Sequence, residues 1–542
     1  MPQKWVISGV YNPTNDLAEQ ILLQRGITDI KAFLNPPTFN ESFKLLPEEF
    51  VESLKSATKI IKDAIAKETP IIIHGDYDAD GVCATAILFN TLKKELNYQN
   101  TFFFIPNRFV HSYGLTELSI DDALKLVSGK RALIVTVDGG ITANDAVDYA
   151  KKIGQQIIIT DHHQKPAHLP NADEIVWSDS VVGAALAWIL SKSLGSKSKA
   201  GVALAALATV TDIQPLLGFN RAIVKAGLSV INTEPPLGLA QLIKTSGNEG
   251  KKISNYELGW VIGPRINATG RLIDAVEAVK LFTEEDPSVV EDIAQKLHEI
   301  NIDRQDKTLQ MYELAGQFDL KNLPKVVIAY HEDFHEGIIG LVAAKITQKY
   351  YRPSIVMSIN EEMAKGSVRS VPGVDIIAFL RNFEDMFESL GGHPGAAGFS
   401  INKNKITELE GKVVKLANSC ILDDDLVRTV EVDIELPLEA IDIELVQNLE
   451  KLQPFGVGNR EPVFAVTGVK VKNIDIIGKS AQHVKLTVTA GKKDYKAIYF
   501  NGKQACESLC LGDIVDLAFT LKINEFNNKR SVDLVVVDIK IP

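Results

Sequence analysis

Residues 70–84 read PIIIHGDYDADGVCA, with Asp76, Asp78 and Asp80 at alternate positions after His74. Carboxylates this close repel one another and weaken the fold unless positive charge sits among them. Hard divalent cations such as Mg2+ and Mn2+ suit carboxylate oxygens and supply that charge. Related groups recur downstream as Asp138-Gly139-Gly140, Asp161-His162-His163 and Thr211-Asp212. Carboxylate and imidazole donors together make a ligand set for a divalent metal, and metal-assisted hydrolysis is the chemistry such a set performs. Each group also has a plainer reading. Residues 76–80 could be an acidic solvated turn, Asp138 an Asx turn, Asp161 a helix N-cap, and the two histidines a surface pair.

Placement separates these readings. Ile71, Ile72 and Ile73 form a β-branched run that is apolar at each position, the pattern of a strand buried on both faces. A helical pattern follows Gly81 at Ala84, Ile87, Leu88 and Leu92. From 70 to 217 strand and helix patterns alternate, which predicts a parallel sheet with crossover helices. Strands are expected at 71–74, 102–105, 132–137 and 156–160, and a small-residue helix at 202–210. The first strand ends on His74 and the acidic turn, the third on Asp138 and the fourth on Asp161. Open α/β sheets bind ligands at this carboxyl edge, so convergence of Asp and His there favours the metal.

The chain has 542 residues, enough for three or four domains, with ordinary hydrophobic (45%) and charged (23%) fractions for a soluble protein. No apolar run is long enough to span a bilayer or serve as a signal peptide. The four cysteines are scattered, and Cys506 with Cys510 lacks a second pair that would make a zinc site. These features predict a cytoplasmic protein with no membrane contact. A net charge of −11 argues against indiscriminate binding to a polyanion, yet residues 460–542 carry 13 Lys/Arg against 9 Asp/Glu.

Elsewhere, residues 1–50 form an arm that says nothing about chemistry, and a helix is expected from 49 to 67. Residues 218–320 read as a helical connector, with Val289, Val290, Ile293, Leu297 and Ile300 at helical spacing. Within it Arg265, Asn267 and Arg271 sit in a glycine-bounded turn. Arginine forks bind phosphate oxygens in pairs, and a salt-bridged connector is the plainer alternative. Residues 321–415 form a second α/β unit, with strands at 325–329 and 354–357 and a helix at 340–350. Its loops are expected at His335-Glu336-Gly337, Ser367-Val368-Arg369-Ser370 and Gly391-Gly392-His393, where glycine N–H groups and polar side chains could meet an anion. From 428 to 542, five β runs at 463–471, 483–488, 495–499, 514–523 and 531–539 predict a small barrel, with a turn at Asn527-Asn528. Lys485, Lys492, Lys493, Tyr495 and Lys496 are candidates there for a basic groove with base stacking.

The ordered motifs GDYDADG, DGG, DHH, Thr211-Asp212, GPRINATGRL (263–272), GSVRS (366–370), GGHPGAAGF (391–399) and QPFGVGNREPVF (453–464) resemble the DHH phosphoesterase superfamily. Within it they resemble the RecJ family of single-strand-specific exonucleases, from which the short span between His163 and Gly183 departs. The resemblance implies an α/β multidomain chain: an N-terminal arm (1–50), a parallel-sheet DHH catalytic domain (51–217), and a connector with a long helix (218–320). A DHHA1 substrate-binding domain (321–415) and a C-terminal OB-fold barrel (428–542) follow. It also implies two Mn2+ or Mg2+ ions, with Asp138 bridging, His74 and Asp78 completing one site, and Asp80, His162 and Asp212 the other. His163 would orient the cluster or act on the leaving group, and Asp76 would support from outside. Arg265, Asn267, Arg271, Arg369, Ser370, Gly391, Gly392 and His393 would meet the substrate. The implied activity is 5′→3′ hydrolysis of single-stranded DNA to 5′-mononucleotides in repair or recombination. Single-stranded DNA is the implied partner, with a single-strand-binding protein or a helicase as further candidates, and the protein a monomer. A DHH-family oligoribonuclease/pAp phosphatase or pyrophosphatase would not need the barrel, and a non-catalytic RecJ-like binding subunit would be expected to lose carboxylates that this chain keeps.

Overall fold

The computed structural model describes residues 3–43, 46–111, 114–319, 322–478, 480–491, 493–526 and 529–541. Two compact units divide the chain: residues 36–311 with 456–459, and residues 1–35, 312–455 and 460–542.

The first unit is built on a five-stranded parallel sheet. Its order is Thr101–Phe104, Ile71–His74, Leu133–Val137, Gln156–Asp161 and Glu174–Trp177. Strand Ile71–His74 is buried throughout, as its unbroken isoleucines require. Helices Ala79–Asn90, Glu117–Lys125, Asn144–Lys152 and Gly183–Leu194 make or follow the crossovers. The edge strand Glu174–Trp177 was not expected: four residues with a leading Glu give little periodic signal. Helix Ala200–Thr211 packs its small residues against Ala79–Asn90 and Gly183–Leu194, and the rest of the unit is helical up to Pro287–Leu314.

The second unit holds two large sheets and a two-stranded pair. One runs Phe387–His393, Ala396–Asn402, Met363–Arg369, Ser354–Ile359, Val327–His331; only its last pair is parallel. Residues 367–369 and 391–393, expected in loops, therefore lie in strands. Glycine hid them, and the packing shows why it is there. A Cβ on Gly366 would fall 2.2 Å from the ring of its cross-strand partner Phe399. The ring covers the glycine, a pairing that supplies the packing a side chain would otherwise give.

The other sheet closes into a five-stranded barrel of Phe464–Ile477, His483–Ala490, Lys493–Tyr499, Lys529–Lys540 and Ile514–Phe526, the last strand pairing back to the first. The expected turn at Asn527-Asn528 lies outside the described residues. Residues 1–35 of the N-terminal arm belong here too, while 36–50 fall in the first unit. Lys4–Ile7 pairs in parallel with Thr429–Val432, and Arg25 makes a buried ion pair with Asp433 at 2.9 Å.

A candidate divalent-metal centre

The acidic turn is held open by backbone donors. Asp78 caps helix Ala79–Asn90, its Oδ1 accepting from the N–H groups of Asp80 (2.8 Å) and Gly81 (3.1 Å). Asp80 is buried, and its two oxygens accept from Gly183 and Ala184 N–H at 2.7 Å each, the N-terminus of the next helix. Gly183 must be glycine, because a Cβ there would lie 2.5 Å from the Asp138 Cβ. Asp138 itself has a left-handed φ of 61°, which Asp tolerates better than most residues. The connector motif braces the same turn: Asn267 Oδ1 accepts from Ala79 N–H at 2.7 Å, and a Cβ on Gly270 would sit 2.4 Å from the Tyr77 carbonyl oxygen.

Three sets of donor atoms converge within 4.8 Å: Asp138 with His162 and His163, Asp80 with His162 and Asp212, and Asp76 with Asp78 and Asp138. At their centre His162 Nε2 lies 3.1 Å from Asp138 Oδ1, 3.5 Å from Asp80 Oδ2 and 4.0 Å from Asp212 Oδ2. Burial, and then the charge on His163, holds His162 neutral with a pKa pushed down to about 4. The carboxylates move the other way. Burial followed by the neighbouring Asp78 lifts Asp76 to about 7 and Asp212 to about 6. Asp80 and Asp138 rise well above the carboxylate range through burial and then their acidic neighbours. Asp76 Oδ1 and Asp138 Oδ1 are buried without a hydrogen-bond partner. A neutral imidazole facing unpartnered carboxylate oxygens is short of a cation, and two donors about 3 Å apart have the spacing of neighbours in one octahedral shell. The residues fit a divalent metal.

Asp161 is not among these sets. It accepts from Ile141, His162 and His163 N–H at 2.7–3.0 Å, and its Oδ1 meets His163 Nδ1 at 2.7 Å. Burial lowers the His163 pKa, but the Asp161 hydrogen bond and charge outweigh it and bring the ring to about 9. His74 also stands outside the three sets: it is buried, and its Nε2 meets Ser119 Oγ at 3.0 Å. Asp76, not His74, joins Asp78 and Asp138. One residue the sequence reading passed over is Arg108, which follows strand Thr101–Phe104 at the same edge. Its guanidinium lies 5.1 Å from the Tyr77 ring centroid, and its charge opposes the rise of Asp76. The signal available for it was position: an arginine just past a parallel strand's carboxyl end.

The remaining candidates scatter. Arg265 is buried and tied to Val261 O (2.6 Å) and His298 Nδ1 (3.0 Å), the connector role. Arg271 is half-buried, and its charge reaches Tyr77. Arg369 donates to Val368 O (2.9 Å) and Ser367 Oγ (3.3 Å), with no carboxylate paired to it among the described residues. A Cβ on Gly340 would lie 3.0 Å from both Arg369 Nη2 and Ser367 Oγ, so the guanidinium rests on the first turn of helix Ile339–Tyr350. That pairing of a cation with a helix N-terminus suits an anion. Ser370 instead donates to Val374 O at 2.7 Å, while Gly391, Gly392 and His393 lie at the end of their strand, all three exposed. In the barrel, Tyr495 is 5% exposed and packed in the core, so its ring cannot stack on a base. Lys493 Nζ donates to Ile441 O at 3.2 Å and Lys485 lies 3.8 Å from Asp475; Lys496 is exposed. Lys492 is outside the described residues.

Three family models match the chain: the DHH family N-terminal domain over residues 70–211, the DHHA1 domain over 323–421 and the RecJ OB domain over 432–538. The single-stranded-DNA-specific exonuclease RecJ of Bacillus subtilis is 32% identical over 91% of this chain, which spans 64% of that relative's length. The Thermus thermophilus protein of the same name is 30% identical over 94% of the chain and 73% of its own. The crystal structure of RecJ from Thermus thermophilus in complex with Mn2+ superposes with a TM-score of 0.85 at 26% identity, covering 99% of this chain and 80% of that one. With its three domains in this order and its carboxylates gathered at one sheet edge, the chain belongs to the RecJ family.

Proposed function

We propose that the protein is a metal-dependent exonuclease that hydrolyses single-stranded DNA to 5′-mononucleotides, working from the 5′ end, in repair or recombination. One observation carries this reading: Asp76, Asp78, Asp80, Asp138 and Asp212, all buried or half-buried, gather around a neutral His162 with too little positive charge among them. Asp138 belongs to two of the three donor sets, as does His162, and by the family pattern its carboxylate would serve both ions. Asp76 and Asp78 would hold one ion; Asp80, His162 and Asp212 would hold the other, with Mn2+ or Mg2+ suiting the mixed donors. When bound, such a pair supplies Lewis-acid activation of water and neutralises charge at the scissile phosphate.

The chain's own groups do the rest. Gly183 and Ala184 N–H fix Asp80, and Asp161 fixes the His163 ring and keeps it protonated, ready to stand beside a leaving oxygen. Arg369, Ser367 and the start of helix Ile339–Tyr350 would take the terminal phosphate and so set polarity. A nuclease confined to unpaired strands depends on others to expose them, which makes a helicase or a single-strand-binding protein the favoured partner class. One chain carries both the donor sets and the anion pocket, in keeping with a monomer, and the four free cysteines agree with the cytoplasm. No helix among the described residues is long and apolar enough to cross a membrane.

The test is to incubate the protein and Mn2+ with 5′- or 3′-labelled single strands of DNA and RNA beside duplex controls. A labelled mononucleotide as the first product from 5′-labelled DNA is expected. First release from the 3′ end, or equal cleavage of duplex, would overturn the reading.

A further inference from the structure

Trp260 is 73% exposed and Tyr256 is 60% exposed, one helical turn apart at the π-helical segment Glu257–Ile262. Exposed tryptophan is costly in water and usually marks a contact surface. These two rings do not stand at a random place. Gly259 and Gly263 flank Trp260, and a Cβ on them would fall 3.3 Å from Val210 Cγ1 and 2.2 Å from Thr211 Cγ2 respectively. Val210 and Thr211 are the last residues before Asp212, so the aromatic turn is packed directly on the end of the helix that presents a metal-site carboxylate. Ile213, the residue after Asp212, is itself an apolar side chain left 69% exposed, with a φ of 61°. Interruptions of this π-helical kind in helices recur at functional sites. Lys251 and Lys252, both exposed, precede the turn and offer charge for a phosphate backbone.

We propose that Tyr256 and Trp260 form a stacking platform for bases of single-stranded DNA beside the metal centre. This deepens the exonuclease reading and rests on it for the identity of the strand. Every base has a π-face, so the platform grips without sequence preference, and a paired base in a duplex has no free face to offer. The barrel's Tyr495 is buried and cannot serve in this way.

The test measures binding of a labelled single-stranded oligonucleotide by fluorescence anisotropy in EDTA, so that cleavage does not intervene, and hydrolysis with Mn2+ in parallel. Trp260→Ala should weaken binding about tenfold, Trp260→Phe should restore most of it, and melting temperatures should match the unaltered protein. Against a strand carrying abasic sites, Trp260→Ala should make no difference. Equal affinity of Trp260→Ala and the unaltered protein for normal strands would overturn the platform, whatever partner the rings then serve. An unaltered protein that cuts single strands while Trp260→Ala binds normally leaves the nuclease standing and removes the platform. Binding that depends on Trp260 without any hydrolysis would do the reverse.

Discussion

The two α/β sheets of this protein collect charge in opposite ways. At the carboxyl edge of the parallel sheet, Asp76, Asp78, Asp80 and Asp138 crowd together with the helix-end Asp212, and the groups around them do not cancel their charge. In the mixed sheet, the single guanidinium of Arg369 is largely buried and its pKa lowered by that burial, without a carboxylate paired to it among the described residues. One site is short of a cation and the other of an anion. Buried charge left this way costs stability, and proteins keep it where a ligand completes it. In the proposed nuclease the two deficits would be filled by the metal pair and by the phosphate end of the substrate.

Breaking the first site should have the larger effect. Asp138→Asn preserves a residue tolerant of the left-handed backbone but removes the shared carboxylate; hydrolysis should fall on the order of 10⁴-fold. Without metal the variant should melt at or above the unaltered protein, because repulsion is relieved. Added Mn2+ should stabilise the unaltered protein by about 2.7 kcal/mol at a hundred times its dissociation constant and the variant hardly at all. A variant that gains as much from Mn2+ would show that the ions sit elsewhere.

Arg369→Ala tests the second site. KM for a 5′-phosphorylated strand should rise on the order of 10- to 100-fold while kcat changes little, and strands lacking the terminal phosphate should lose their disadvantage. An unchanged ratio between the two substrates would remove the anion pocket from the account. Smaller again, Asp161→Asn should cost on the order of tenfold in kcat by loosening His163, with strand affinity preserved. At the small end, Tyr495→Phe removes a buried hydroxyl without a partner, so stability should hold or rise by about 1 kcal/mol, and strand affinity should not move.

The contrast between the sheets also separates what could be read from the sequence. Parallel strands buried on both faces are written as apolar runs, so 71–74, 133–137 and 156–161 were visible, and so were the Asp and His residues that end them. Strands 363–369, 387–393 and 396–402 were not, since Gly366 lies under the cross-strand Phe399 ring and Gly392 closes against Ala396 and Ala397, packing that no local pattern records. The family pattern implied His74 inside the ligand set and Asp76 outside it. The structure engages His74 with Ser119 and turns Asp76 toward Asp78 and Asp138, a choice made by packing. The pairing of Lys4–Ile7 with Thr429–Val432 joins segments more than 400 residues apart, beyond any local signal. Tyr495 sits on the inward phase of its strand, flanked by exposed Asp494 and Lys496, and that alternation could have placed it in the core.

The central claim is that the carboxylates at one sheet edge hold two divalent ions. Crystals grown with Mn2+ and measured at its absorption edge would test it directly. Two anomalous peaks are expected, one among Asp76, Asp78 and Asp138 and one among Asp80, Asp138, His162 and Asp212. Full occupancy by manganese anywhere else, with this cluster bare and strand cleavage intact, would contradict it.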